Sequence, residues 1–486
     1  MKILNLYRKS SFGRRLANGV FWSMSGAGVS RALTFSATII VARLLGKSVF
    51  GELGMIQSTV STIGIFAGFG LSLTATKYIA ELRRSNPVRT GRILGLSRII
   101  AAFTGSLFAL GLFLFAPWLA EHTINAPHLI SVLRIGALIL FFNAVNSAQI
   151  GALAGFEAFK EIAYVNLLVG LFSFPILVCG AYFGGITGVV WAIAINLCFH
   201  SLLNIVALHK QTQRFNIPFS FGDWRLELPI LWKFSLPAVL QGILVGPANW
   251  ASRAFLTNQP NGYDEMGIFM AAFTFHLFFM FISGMLNAPL LSMVSNAGST
   301  ISNKFKTVNI LTSWMIGVVI AIPLLCFPEI AQMVFGNEYD TYKFKLTFSL
   351  IVFCSCILLY KSGLSRSMVA HGILWWGVFS NSLWAVIMVV SAFFFVPWWG
   401  APGLALSLTI AYLIQTAVIL PLCYSRKLVP KWAFYSLDST LIWLVIVGLV
   451  FLNITNVSIT IRSIIFIPSL LLVGLAFVRI GRYTTT

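Results

Sequence analysis

The sequence predicts an all-α polytopic membrane protein with about 14 transmembrane helices. Three observations carry that expectation. Charged residues are only 9% of the 486, against about 25% in a soluble domain. Residues of the AVILMFWYC set reach 58%, with 43 Phe and 14 Trp among them. These apolar residues also come in runs of about 20, the length that crosses a hydrocarbon core of ~30 Å as a helix. So few charges cannot cover a soluble surface, and the same numbers exclude a disordered chain. Barrel strands would need only about 10 residues each and would alternate in polarity.

In chain order the runs centre near Arg31, Ile63, Phe108, Leu140, Leu171, Ala194, Ile243, Phe275, Trp314, Val352, Ile387, Leu408, Val445 and Leu470. Some neighbours are separated by very short turns, such as Gly184-Gly185-Ile186-Thr187. No linker is long enough for a soluble domain.

The 33 Lys+Arg and 13 Asp+Glu give a net charge of +20. If the N-terminus is cytoplasmic and the spans alternate, 24 basic residues fall in cytoplasmic segments, Lys361 and Arg366 among them. Five fall in the opposite loops: Arg43, Lys47, Lys343, Lys345 and Arg462. That bias sets both termini on the cytoplasmic side of the membrane. It also explains most of the +20, so the charge marks topology and no nucleic acid is expected as a partner. Residues 2–15 read as a basic amphipathic surface segment rather than a cleavable signal. The six Cys are scattered, mostly in apolar runs, and read as small buried hydrophobes. Asn453 and Asn456 start glycosylation sequons, a short and common motif.

An internal repeat divides the chain. Glu52-Leu-Gly-Met recurs as Glu265-Met-Gly-Ile, Arg43 as Arg253, and Gly185-Ile-Thr-Gly-Val as Gly400-Ala-Pro-Gly-Leu. The offsets are 213, 210 and 215. Six spans per half keeps both halves in one orientation, a parallel pseudo-twofold repeat. The expected organisation is residues 1–17 as a cytoplasmic amphipathic N-terminus and 18–210 as an N-lobe of spans one to six. A cytoplasmic linker follows at 211–233, a C-lobe of spans seven to twelve at 234–424, and two further spans with a cytoplasmic tail at 425–486. Paired bundles of this kind suit a transporter, with the substrate site between them. Duplication for packing alone is the competing explanation.

Four basic residues lie inside runs: Arg31, Arg98, Arg134 and Arg253. A charge at mid-membrane costs about 3 to 17 kcal/mol and by default faces a cavity or a partner. Arg31 is too far from either end of its run to reach water easily. It shares a small, polar helix face with Ser23, Ala27, Thr34, Thr38 and Ala42. Arg253 ends a comparable face of Ala238, Gly242, Gly246 and Asn249. Arg43, Arg98, Arg134 and Arg253 lie nearer span ends, where snorkelling to the interface is the alternative. Lys77 stands at the inner end of the second span, where it could close a cavity. Gln57, Asn143, Asn146, Gln149, Gln241, Asn249, Trp250, His276 and Asn287 add amides, aromatics and an imidazole suited to sugar hydroxyls and faces; bonding between helices is the other reading.

None of the thirteen acids lies mid-span. Carriers of cations want a buried carboxylate. Arginine instead binds phosphate bidentately and keeps its charge, so the expected ligand is an anion carrying phosphate or pyrophosphate. There is no phosphate-binding G-x-x-x-x-G-K-[ST] loop and no cluster with metal-ligand spacing, so neither an enzyme, a metal nor a cofactor is expected. Ion coupling is open, with no ion assigned.

The first hundred residues resemble the opening of bacterial oligosaccharide-lipid flippases. These form the polysaccharide-transport branch of the multidrug/oligosaccharidyl-lipid/polysaccharide (MOP, MATE-like) superfamily. The most specific piece is A-R-x-L-G-x-x-x-F-G-x-L at Ala42 to Leu53. The resemblance implies two six-helix lobes and movement of undecaprenyl-pyrophosphate-linked repeat units to the periplasmic leaflet. Their use would be O-antigen, lipopolysaccharide, capsule or exopolysaccharide assembly. It implies membrane lipids and polysaccharide polymerase or ligase machinery as partners. It also implies arginines on the first helix of each lobe: Arg31 and Arg43 match the first, Arg253 the second. Thr34, Thr38, Gln57, Lys77, Arg134, Asn146, Gln241, Asn249, Trp250, His276 and Asn287 are the expected cavity lining. The alternatives are a MATE-type small-molecule antiporter and an O-antigen polymerase or ligase.

Overall fold

The computed structural model describes residues 11–218, 224–235, 243–296, 303–371 and 373–482. Among these, every regular element is helical, as hydrocarbon demands of a chain that must satisfy its own backbone groups. Among the described residues, twelve helical segments are long and apolar enough to cross a membrane. The chain forms two compact units, residues 1–45 with 55–246, and residues 46–54 with 247–486.

The first unit contains α1 (Ser11–Leu45), α2 (Lys47–Gly68), α3 (Leu71–Leu82), α4 (Pro87–Trp118), α5 (Ile130–Gly155) and α6 (Phe159–Arg214). Asn86 starts α4 by accepting from Arg89 N at 3.0 Å, with Pro87 at the first helical position. Small residues bring α1 onto α6: Gly26 meets the Ala163 backbone, and Gly170 meets Ser30. The 56 residues of α6 are two spans, because Gly185 (φ 54°, ψ −139°) reverses the chain. Gly180 and Gly188 touch backbone to backbone across that turn, and the Phe172 ring packs on Phe199, tilted by 42°, with centroids 4.6 Å apart.

The second unit contains most of α7 (Val245–Thr257), then α8 (Gly262–Asn296), α9 (Asn303–Cys326), α10 (Pro328–Phe335) and α11 (Tyr342–Ala370). It continues with α12 (Leu374–Trp399), α13 (Ala401–Ser425), α14 (Leu437–Ile454) and α15 (Ile459–Arg482). Residues 46–54 belong to it because Gly51 lies against Tyr263 O and Gly267 against Lys47 O, where any Cβ would sit 2.0 Å from the carbonyl. This explains the glycines on either side of Glu52 and after Met266 as close-approach positions. The last two helices are built in through Trp314, fully buried among Tyr360, Trp432, Trp443 and Phe477 with centroids 5.2 to 6.3 Å away.

Counting α6 as two spans brings the total to thirteen among the described residues; the expected seventh span, centred near Ile243, lies partly outside them, with α7 at its described end. Backbone conformation also records the repeat. Gly400 (φ 62°, ψ −127°) turns α12 into α13 as Gly185 turns α6. Left-handed Gly46, Asn125 and Asn216 recur as Asn261, Gly336 and Lys427, 215 or 211 residues later.

One part of the charge count is corrected. Lys361 and Arg366, read as loop residues, stand inside α11. Arg366 is 2% exposed and donates to Asn309 Oδ1 (2.8 Å), Asn309 O (2.7 Å) and Ser313 Oγ (2.9 Å) on α9. The polar residues around them ended the apolar run too early.

Candidate functional site: cations of the two units

Arg31 is exposed on α1, 14 residues before the helix ends, or about 21 Å at 1.5 Å per residue. It follows Ser30, which packs on Gly170, so it points about 100° away from the α6 contact. Thr34 and Thr38 stand half-buried one and two turns on. Their hydroxyls donate to Ser30 O (2.9 Å) and Thr34 O (2.8 Å), which leaves their lone pairs free to accept. Arg43 is exposed in the last turn, about 18 Å further along and about 120° around the helix. The structure therefore groups Arg31 with Thr34 and Thr38, and separates Arg43 from them.

In the second unit Arg253 lies half-buried on α7 with its guanidinium carbon 4.8 Å from the Phe273 centroid and 5.8 Å from that of Phe269. Among the described residues no carboxylate forms an ion pair with it. Ring faces stabilise the cation and leave its N–H groups available in plane. Asn249 and Trp250 are half-buried one turn before it. His276 is 2% exposed, with its ring 5.0 Å from Phe273 and Nδ1 2.9 Å from Ser355 Oγ. Ser355 gives its own hydrogen to Ile351 O (2.7 Å), so Nδ1 is assigned as the donor. Beyond His276 stand Tyr412, 6.5 Å away between centroids, and then Lys361, whose Nζ is 5.1 Å from the Tyr412 centroid. Lys361 donates to Gln415 Oε1. Sequence reasoning missed Lys361; its signal was a lysine whose flanking residues still fit a helix.

The other candidates are dispersed. Gln57, Lys77, Arg134 and Asn287 are exposed on α2, α3, α5 and α8. The Lys77 Nζ lies 5.2 Å from the Tyr78 ring, and the Arg134 guanidinium 5.1 Å from that of Phe113. Asn146 is buried, donating to Leu197 O (3.0 Å) and accepting from Asn204 (3.1 Å), so its amide joins α5 to α6. Gln241 lies outside the described residues.

Every described acid stands in a loop or within the first or last two turns of its helix. Among the described residues no group of three His, Cys, Asp or Glu could hold a metal. Glu329, at the start of α10, binds Arg462 and lies 3.4 Å from Lys345 Nζ. Burial raises its carboxyl, but the hydrogen bonds from Arg462 and its own backbone, with both positive charges, prevail and hold it below the ordinary 4.5. Arg462 is 2% exposed and also donates to Cys326 O (3.0 Å) and Val457 O (3.0 Å), tying α15 to α9. Asn453, the sequon residue, is fully buried there and donates to Leu325 O at 2.8 Å.

Helices long and apolar enough to cross a membrane, with a doubled pattern of turns, make this an all-helical membrane-protein fold. Its solved likenesses agree in fold. The lipid II flippase MurJ in an inward closed conformation has a TM-score of 0.66 at 16% identity, covering 94% of this chain and 98% of that one. An inward-facing MATE family multidrug resistance transporter has 0.63 at 14%, covering 84% and 98%. A family profile described as polysaccharide biosynthesis protein matches residues 16–251. EpsE of Ralstonia nicotianae, an EPS I polysaccharide export inner membrane protein, is 22% identical over 395 residues, 80% of this chain and 89% of that one. The lipid III flippase of Escherichia coli is 26% identical over 262 residues, 52% and 60% of the two chains. Over residues 16–251, just under half of its length, the chain is similar to the polysaccharide biosynthesis family, and its fold is like that of MurJ and the MATE transporter.

Proposed function

We propose that this protein flips undecaprenyl-pyrophosphate-linked oligosaccharide units from the cytoplasmic to the periplasmic leaflet by alternating access, with both of its termini in the cytoplasm. Arg31 and Arg253 hold the pyrophosphate. Thr34, Thr38, Asn249 and Trp250 meet the sugar nearest it, and the polyprenyl tail stays in lipid. Arg43, separated from Arg31 along α1, attracts the headgroup rather than sharing its phosphates.

The observation that carries this reading is Arg253: a half-buried guanidinium braced by two rings, with no carboxylate paired to it among the described residues. A resident ion pair would have neutralised it, whereas a diphosphate can take its N–H groups bidentately. A carrier of cations would need the opposite charge. The family and its relatives of polysaccharide export support the substrate class.

The test is complementation of a flippase-null strain at matched membrane levels of the protein. Arg31→Ala and Arg253→Ala should each abolish surface polysaccharide. Full polysaccharide from either variant contradicts the anchoring roles. Raised drug tolerance on overexpression, without complementation, would favour small-molecule export.

A further inference from the structure

Lys361 is a cation that pyrophosphate binding leaves unused. It stands 19 residues into α11, about 28 Å from one end of the helix and about 13 Å from the other. That depth places it within hydrocarbon, where ionisable groups are costly and mark ion pathways.

Its surroundings differ from those of the protein's structural cations. Arg462 and Lys345 share the carboxylate of Glu329. Arg366, which like every arginine never sheds its proton, is saturated by α9 oxygens. Lys361 has a neutral partner, the Gln415 side-chain oxygen, and the Tyr412 ring. The Gln415 orientation is fixed, because its Nε2 donates to Ser380 O (2.9 Å), Ser380 Oγ (2.7 Å) and Asn381 Oδ1 (3.3 Å) on α12. Only its oxygen faces the lysine. A carbonyl oxygen accepts from an ammonium and from a neutral amine alike, so both forms fit. Nor is the lysine the sole bond between α11 and α13, since Thr409 Oγ1 of α13 donates to Leu350 O of α11 (3.3 Å).

The titratable neighbours are few. Tyr412 comes from α13 and His276, behind it, from α8. Cys354, Tyr360 and Arg366 lie on α11 itself, and Tyr360 donates to Ala433 O. Helix α12 carries no titratable residue. Lys306 of α9 is bound to Lys427 O, and Asp438 of α14 lies 3.7 Å from Arg479.

We propose that Lys361 is a proton-binding residue that couples transport to the transmembrane proton gradient. When open to one aqueous phase, the amine lone pair takes a proton from hydronium and leaves water. When open to the other, the ammonium returns the proton to water. A lysine out of water can exchange its proton in this way, and an arginine cannot. What is moved in exchange rests on the flippase reading above.

The test uses the full chain in liposomes containing extracted undecaprenyl-pyrophosphate-linked oligosaccharide, with and without an imposed pH difference. Wild type should be stimulated by the gradient, up to about tenfold per pH unit for one proton. Lys361→Gln and Lys361→Arg should lose that stimulation, and Lys361→Arg should keep the wild-type melting temperature because it keeps a donor to Gln415. A wild type that flips equally with and without the gradient overturns the coupling, as does a folded Lys361→Arg variant that still responds. A wild type that moves none of this lipid under either condition contradicts the flippase reading instead; pyranine-detected proton flux abolished in Lys361→Arg would then still support Lys361, and unchanged flux would refute it.

Discussion

Replacing Glu329 with Gln should destabilise the protein through a residue that lies outside the spans and far in sequence from any candidate substrate contact. The carboxylate is the only acid paired with Arg462 among the described residues, and Arg462 is 2% exposed. Breaking a buried pair by removing one partner typically costs about 3–5 kcal/mol, because the other charge is left uncompensated. Cys326 O, Val457 O and Asn453 Oδ1 remain as acceptors, which puts the expected loss at the lower end, about 3 kcal/mol. Reversible SDS-titration unfolding of the purified protein measures it. Arg462→Met added to Glu329→Gln should recover part of the loss, since no buried charge remains. The pH dependence has a definite sign. A carboxyl held below its ordinary 4.5 contributes stability that is present above that value and lost as pH falls through the depressed one. Glu329→Gln should remove this component. Additive single and double variants, or a Glu329→Gln loss under about 0.5 kcal/mol, would refute a clamp of α15 onto α9 and α10.

Gly51→Val and Gly267→Val should each cost more than the about 1–3 kcal/mol of ordinary overpacking, because the new Cβ meets a backbone carbonyl at 2.0 Å; folded yield in detergent reads this, and wild-type yield would contradict it. Gly185→Ala and Gly400→Ala should each lose about 1–3 kcal/mol from backbone strain at φ near +60°. Gly400→Ala should lose more, since its Cβ also meets Glu265 Oε2 at 2.5 Å while Gly185 has open space; equal melting temperatures would contradict that ranking. Arg43→Ala should lower surface polysaccharide far less than Arg31→Ala, and equal defects would show that both cations hold one phosphate group.

Much of this was legible in the sequence. Run length gave the helices, because hydrocarbon leaves the backbone no alternative. Gly185 and Gly400 announced the repeat, because both occupy a backbone conformation that side chains resist. Lys361 and Arg366 were lost to the same run-length criterion, which ends a span at the first polar cluster even where that cluster faces a neighbouring helix. Twelve residues of helix separate Arg31 from Arg43 by about 120°, a fact present in the sequence but hidden when charges are grouped by loop rather than by angle. The pairing of Asn146 with Asn204 and of Asn453 with Leu325 O was not legible, since any span amide can face a cavity or a helix until its partner is known.

Binding of undecaprenyl lipids by the purified protein tests the arginine anchor most directly. Wild type should bind undecaprenyl pyrophosphate well above undecaprenol. Arg31→Lys and Arg253→Lys should each weaken that binding by about 10- to 100-fold, the loss of one charge-assisted hydrogen-bonding group worth roughly 1.5–3 kcal/mol. Equal affinity of wild type for undecaprenyl pyrophosphate and undecaprenol, or unchanged binding by both lysine variants, would contradict it.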